Sequence, residues 1–255
     1  MFGTPLDSLS EAGWGGALSS LVEMLAALQS VESPSGDAGP LAAQTRPSGT
    51  TWLEWLLESA VDPADPRLGN WRDAMLSHGG VVDRYDAAVA ELDRMVGECP
   101  DVRQVVHTDL SGNTLVADGR VTGVFDWGNA VIGDPAYDVA HLTFWAPWHP
   151  GCPEPELRAA SSEVLGDRAD ERVRTYELHV ALEALRFNAA MGRPRTIEAV
   201  LHRMSELGTG TWVESPSASP ALQPAGPVPA AATTSGTRRA GEGGAMPRRV
   251  GSPRQ

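Results

Sequence analysis

Apolar side chains recur at helical spacing over several stretches of the chain. Leu18, Leu21, Val22, Leu25 and Leu28 fall on one face and predict an amphipathic helix over 17–30. Trp52-Leu53 with Trp55-Leu56-Leu57 opens a second, and 81–97 carries a third. Val173, Tyr176, Leu178, Val180, Leu182 and Leu185 line an apolar side of 171–191, and 196–207 follows Pro194 as a shorter helix. Between the first two helices, 31–50 is rich in Pro, Gly and Ser and reads as a loop. A different period occurs once. Val105-Val106 is extended and leads into His107-Thr108-Asp109; Thr114-Leu115-Val116-Ala117 runs to Asp118-Gly119; and Arg120 to Phe125 returns to Asp126. A two-residue Asp-Gly between apolar runs predicts a β-hairpin. The chain therefore reads as mainly helical around one hairpin, without an internal repeat.

A hairpin brings its outer ends together, so Asp109, Asn113 and Asp126 converge although seventeen positions separate the first from the last. Transfer of a phosphoryl group to a hydroxyl needs a carboxylate that orients and deprotonates the attacking oxygen, and hard oxygen ligands that hold magnesium on the phosphates. Asp109 suits the first role. The Asn113 amide oxygen and the Asp126 carboxylate suit the second.

His107-Thr-Asp109-Leu-Ser-Gly-Asn113, then Val124-Phe-Asp126-Trp-Gly128, then Gly133-Asp-Pro-Ala-Tyr-Asp138 together resemble the catalytic core of the aminoglycoside phosphotransferases, relatives of protein kinases. Phe144-Trp-Ala-Pro-Trp148 resembles the hygromycin phosphotransferase branch in particular. The resemblance covers 1–213 and implies an α+β, mainly helical fold, the large lobe of a kinase-like phosphotransferase with a short hairpin at its active edge. It further implies Asp109 as catalytic base, Asn113 and Asp126 as magnesium ligands, ATP or GTP as donor, and the hydroxyl of a cationic aminoglycoside or similar small molecule as acceptor, a reaction of antibiotic resistance.

The chain departs from that family in two places. Three residues separate Asp109 from Asn113 where the family usually places four, and Thr114 stands where the longer form puts the amide. The second departure is compositional: all 20 basic residues are arginine, so the strand lysine with which kinase small lobes hold phosphate has no counterpart. Met1 to Leu9 resembles the segment after the interlobe hinge, and Gly13-Trp-Gly15-Gly16 reads as a loop and helix start rather than a phosphate loop. These features point to a large lobe without its small lobe. They leave a second reading, a catalytically silent lobe acting as a binding module, and a third, a metal-dependent hydrolase using the His-x-Asp as ligands.

At 255 residues and 42% hydrophobic content the chain is long enough for one ample core, and from 214 to 255 its composition shifts to Ser, Pro, Ala, Gly and Thr with five arginines, which predicts a disordered tail. Residues 1–213 hold 15 basic and 31 acidic side chains, a net of −16. That charge disfavours nucleic acid and draws polycations. Cys99 and Cys152 form neither a close pair nor a metal spacing. Neither a signal peptide nor a membrane span is evident, so a soluble cytoplasmic protein is expected. His107 reads as a structural histidine that hydrogen-bonds the catalytic loop under Asp126; Asp134 as a turn residue and Asp138 as the cap of a helix beginning near Val139, with substrate contact the lesser reading for both. Trp145 and Trp148 read as gap fillers rather than sugar platforms, and His141, His149, His179 and His202 lack ligand spacing.

Overall fold

The computed structural model describes residues 2–31, 38–41, 49–61 and 68–208. The tail expected over 214–255 and most of the loop expected over 31–50 lie outside them. Among the described residues, eight α-helices surround two small antiparallel sheets, in agreement with a mainly helical α+β fold.

Strand β1 (Thr4–Pro5) leads through a helical turn to α1 (Glu11–Gln29), and β2 (Gly39–Pro40) precedes α2 (Trp52–Val61), α3 (Trp71–Leu76) and α4 (Val81–Val96). Then come β3 (Gln104–Val106), β4 (Thr114–Ala117), β5 (Arg120–Val124) and β6 (Val131–Gly133), followed by α5 (Ala136–Trp145), α6 (Glu154–Leu165), α7 (Ala169–Ala190) and α8 (Pro194–Glu206). Helix α1 starts earlier than the apolar period shows. Ser10 caps it by accepting from the Gly13 N–H at 3.3 Å, so the early glycines lie within its first turns and form no phosphate loop. Pro194 opens α8 at its first turn, where a missing N–H costs nothing.

The hairpin forms as read. Asp118 and Gly119 both take positive φ, 50° and 72°, as a tight turn with right-twisted strands requires. A Cβ on Gly119 would come within 3.2 Å of the Gly16 carbonyl oxygen, so two glycines let the turn sit against α1. The ladder pairs Thr114 with Val124 and Ala117 with Arg120; it slips once, between Leu115 and Val116, and leaves Thr122 to donate through its hydroxyl to the Phe2 carbonyl at 2.9 Å. β1 completes this sheet on the other side of β4. The Val105-Val106 strand does not join it. β3 instead pairs with β6, Val105 opposite Ile132, in a second sheet of order β2-β6-β3.

Helix α7 is buried on nearly every side, packing against α3, α4, α5 and α8, which makes it the axis of the core. Four of its buried polar side chains have a partner on another element: Arg172 with Asp134, Glu177 with Arg158 and Thr143, Arg186 with Tyr85, and His179 with Ser59 and Tyr137; Asn188 donates within the helix, to the Ala184 carbonyl. Around its first half Trp52 stacks on Trp55 at 4.8 Å and meets Tyr137 and Tyr176 edge-on. Any Cβ at Gly133 would strike the Trp52 ring, so glycine is required there by close packing rather than by φ. The two cysteines are free, and no helix among the described residues is long and apolar enough to cross a membrane.

His179 links α2 to α5 through bonds of 2.9 Å to Ser59 Oγ and 2.9 Å to Tyr137 Oη. Burial pushes its imidazole down to about 4 from an ordinary 6.5. The unfolded chain therefore takes up a proton below pH 6.5 that the folded chain refuses until about pH 4, so stability is lost as pH falls through that window, by about 1.4 kcal/mol per unit. Urea unfolding at pH 7, 6 and 5 should show this slope. His179→Gln should be less stable at pH 7 by about 1 to 3 kcal/mol and should show a flatter pH dependence.

Candidate active site

The two sheets explain how distant residues meet. Residues 107–113 leave β3 in one sheet and enter β4 in the other; residues 125–130 leave β5 and return to β6. The two crossings lie side by side. The Phe125 N–H donates to the Asn113 carbonyl at 3.0 Å, which extends the hairpin ladder by one pair. The His107 ring joins Nε2 to the Phe125 carbonyl at 2.8 Å, and the Thr108 hydroxyl donates to the Asn129 carbonyl at 3.1 Å. Asp109 sits on the first crossing and Asp126 on the second.

Both crossings contain left-handed backbone at non-glycine residues, Thr108 at φ 69° and Asp126 at φ 58°. A β-branched residue in that region costs about 1–3 kcal/mol and persists only where its surroundings fix it. Asp138 does so. Its carboxylate accepts from the His107 N–H at 3.0 Å and the Thr108 N–H at 2.7 Å. Burial raises the Asp138 carboxyl to about 7 in spite of the His107 and Thr108 donors. The expectation that Asp138 caps a helix near Val139 is corrected here: α5 begins at Ala136, and Asp138 lies in its first turn facing the catalytic loop. Asp134 is likewise turned inward. Its oxygens accept from Arg172 Nε at 2.8 Å and Nη2 at 2.5 Å, from the Tyr176 hydroxyl at 2.8 Å and from the Ala136 N–H at 3.0 Å. Neither carboxylate has surface left for a substrate.

His107 is buried, and its Nδ1 accepts the Asp109 N–H at 3.2 Å while Nε2 donates to Phe125. One nitrogen accepting and one donating describe a neutral imidazole, and burial holds its pKa below the ordinary value against the opposing pull of the Phe125 carbonyl, Asp109 and Asp126. This is the structural histidine the sequence suggests, with a Trp127 ring edge against it at 4.7 Å.

Asp109 is half-buried. Its Oδ2 accepts from the Asn113 amide nitrogen at 3.1 Å, and the same nitrogen reaches the Asp109 carbonyl at 2.9 Å. Burial raises the Asp109 carboxyl to about 6; His107 and Asn113 act against the rise, and the Asp126 and Asp7 carboxylates add to it. Asp7 was not legible in the sequence. It follows β1, donates its N–H to the Ser111 carbonyl at 3.0 Å, and with the β1–β4 pairing comes within electrostatic reach of Asp109. Trp145 is half-buried and Trp148 buried, packed edge-on at 5.0 Å, as gap fillers would be.

The arrangement offers two carboxylates and an amide, all hard oxygen donors, and among the described residues no arginine pairs with Asp109 or Asp126. Such a donor set suits a hard divalent cation that takes a few protein ligands and leaves its other positions to phosphate and water. The described residues contain no group of three or more His, Cys, Asp or Glu side chains placed to hold a metal, which leaves the hydrolase reading without its ligand set there.

Replacing Asp138 by Asn removes the charge and turns one acceptor into a donor facing an N–H. Asp138→Asn should lose about 2–4 kcal/mol in urea unfolding at pH 8, where the native carboxyl is ionised. A loss under 0.5 kcal/mol, about the value for surface changes, would show that the loop holds its shape without this group.

A profile of the Phosphotransferase enzyme family matches residues 3–176. The hygromycin-B 4-O-kinase of Escherichia coli is 31% identical over 189 residues, covering 72% of this chain and 52% of that protein, so the chain spans about half the length of this curated relative. The crystal structure of aminoglycoside phosphotransferase APH(4)-Ia superposes with a TM-score of 0.68 at 27% identity, covering 83% of this chain and 70% of the other. A thermostable mutant of that enzyme, in ternary complex with AMP-PNP and hygromycin B, gives 0.67 at 27% identity with coverage of 83% and 70%. With the fold, the ordered motifs and the family profile in agreement over most of its described length, the chain belongs to the phosphotransferase enzyme family, in the hygromycin branch of the aminoglycoside phosphotransferases.

Proposed function

We propose that this chain is a phosphotransferase acting on a hydroxyl of an aminoglycoside of the hygromycin B kind, with Asp109 as the base and Asn113 with Asp126 holding magnesium for the phosphates of ATP or GTP. The observation that carries the reading is the strapping of the two sheet crossings, which sets Asp109 beside Asn113 and within electrostatic reach of Asp126. Asp109 receives the proton of the acceptor hydroxyl as its oxygen bonds to the terminal phosphorus and the bond to the nucleoside diphosphate breaks. Magnesium, when bound, neutralises charge on the donor phosphates. The net of −16 over 1–213 favours a polycationic acceptor over nucleic acid. A nucleotide donor also suits a cytoplasmic site of action.

The second reading, a lobe that binds without transferring, is favoured by one composition fact. With no lysine in the chain, any phosphate contact it makes uses guanidinium or backbone N–H groups. Calorimetric titration with magnesium and AMP-PNP, followed by phosphoryl transfer from ATP to hygromycin B read by mass shift, separates the readings. Micromolar nucleotide binding lost in Asp126→Ala, with transfer reduced at least about 100-fold in Asp109→Asn, is the expected result. Nucleotide binding without transfer selects the binding module. Absence of binding at millimolar nucleotide would falsify the proposal.

A further inference from the structure

Trp127 stands out among the tryptophans of the described residues. Trp14, Trp52, Trp55, Trp71 and Trp148 are buried and Trp145 is half-buried, whereas Trp127 is 37% exposed directly after Asp126. It is also fixed. Its Nε1 donates to the Val124 carbonyl at 3.3 Å, it opens the tight turn Trp127–Asn129, and its ring packs against His107 with planes 70° apart. An exposed indole held in one orientation loses little freedom when a ligand covers it.

Its neighbours indicate what that ligand carries. His107, in ring contact with Trp127, accepts the Asp109 N–H, so the indole is one side chain away from the proposed base. Asp126 precedes it in the chain, and among the described residues no arginine balances either carboxylate. An indole face beside uncompensated negative charge matches a ring with an apolar face and ammonium substituents, which is the description of an aminated sugar. A purine stacks on an indole equally well, and the parallel titration with nucleotide below distinguishes the two occupants.

We infer that Trp127 is an acceptor-binding residue, its indole being the platform for an aminated sugar ring whose hydroxyl reaches Asp109. The inference rests on the acceptor class proposed above. The test titrates the full chain and its Trp127→Phe and Trp127→Leu variants with hygromycin B, and in parallel with magnesium and AMP-PNP. Trp127→Leu should bind hygromycin B about tenfold more weakly and Trp127→Phe about threefold, the size of a stacking and cation–π contribution, with nucleotide affinity unchanged. Equal hygromycin B affinity in all three chains overturns the role of Trp127 alone. Loss of nucleotide affinity with hygromycin B unaffected assigns the ring to the nucleotide base and overturns it also. Absence of hygromycin B binding by the parent chain overturns the acceptor class, and the platform with it. Should the leucine variant fail to fold, the phenylalanine variant decides by the same comparison.

Discussion

The carboxylate of Asp138 is the constraint on which the site depends. It lies at the start of α5 and fixes the backbone of His107 and Thr108, the two residues that aim Asp109. Its two hydrogen bonds, worth about 1–3 kcal/mol each when one partner is charged, match the cost of a left-handed threonine. Because the carboxyl is raised rather than lowered, burial outweighs the donors for its charged form, and the bonds serve geometry more than charge.

The same arrangement recurs around α7. This helix carries ionised and polar groups inside the core, where an unpaired one is costly, and Arg172, Glu177, His179 and Arg186 tie it to other elements. Arginine suits the task, since its planar fork meets a carboxylate with two bonds, as Arg172 meets Asp134. A chain with only arginine as its basic residue thus has internal ties that hold charge at any ordinary pH. The segment between β6 and α5 is fixed from below by Arg172 and Tyr176 while Asp138 works on the loop above.

Much of this was legible in the sequence. The long helices announce themselves by period, the hairpin by Asp118-Gly119, and the site by three carboxylate-bearing motifs in order. What the sequence withheld depends on long-range pairing. β1, β2 and β6 are strands of two or three residues that exist because of their partners, too short for any period to show. α1 begins among glycines that contribute no apolar signal, and α6 has a weakly apolar face. Asp7 enters the neighbourhood of Asp109 through the β1–β4 pairing and its N–H bond to the Ser111 carbonyl. The inward turn of Asp134 and Asp138 was hidden for another reason: an aspartate beside proline or at a helix start reads the same whether it faces solvent or a buried arginine.

The paired crossings have a consequence for how the site responds to ligands. His107 bonds one crossing through its backbone environment and the other through Phe125, and Asn113 joins the same two segments. Asp109 and Asp126 are therefore parts of one rigid unit rather than independent groups. Their spacing is held by the same bonds, and by thermodynamic reciprocity any change that a ligand at Asp126 makes in affinity at Asp109 is matched by the same factor in return. Coupling between two ligands meeting there would need neither a second site nor a hinge.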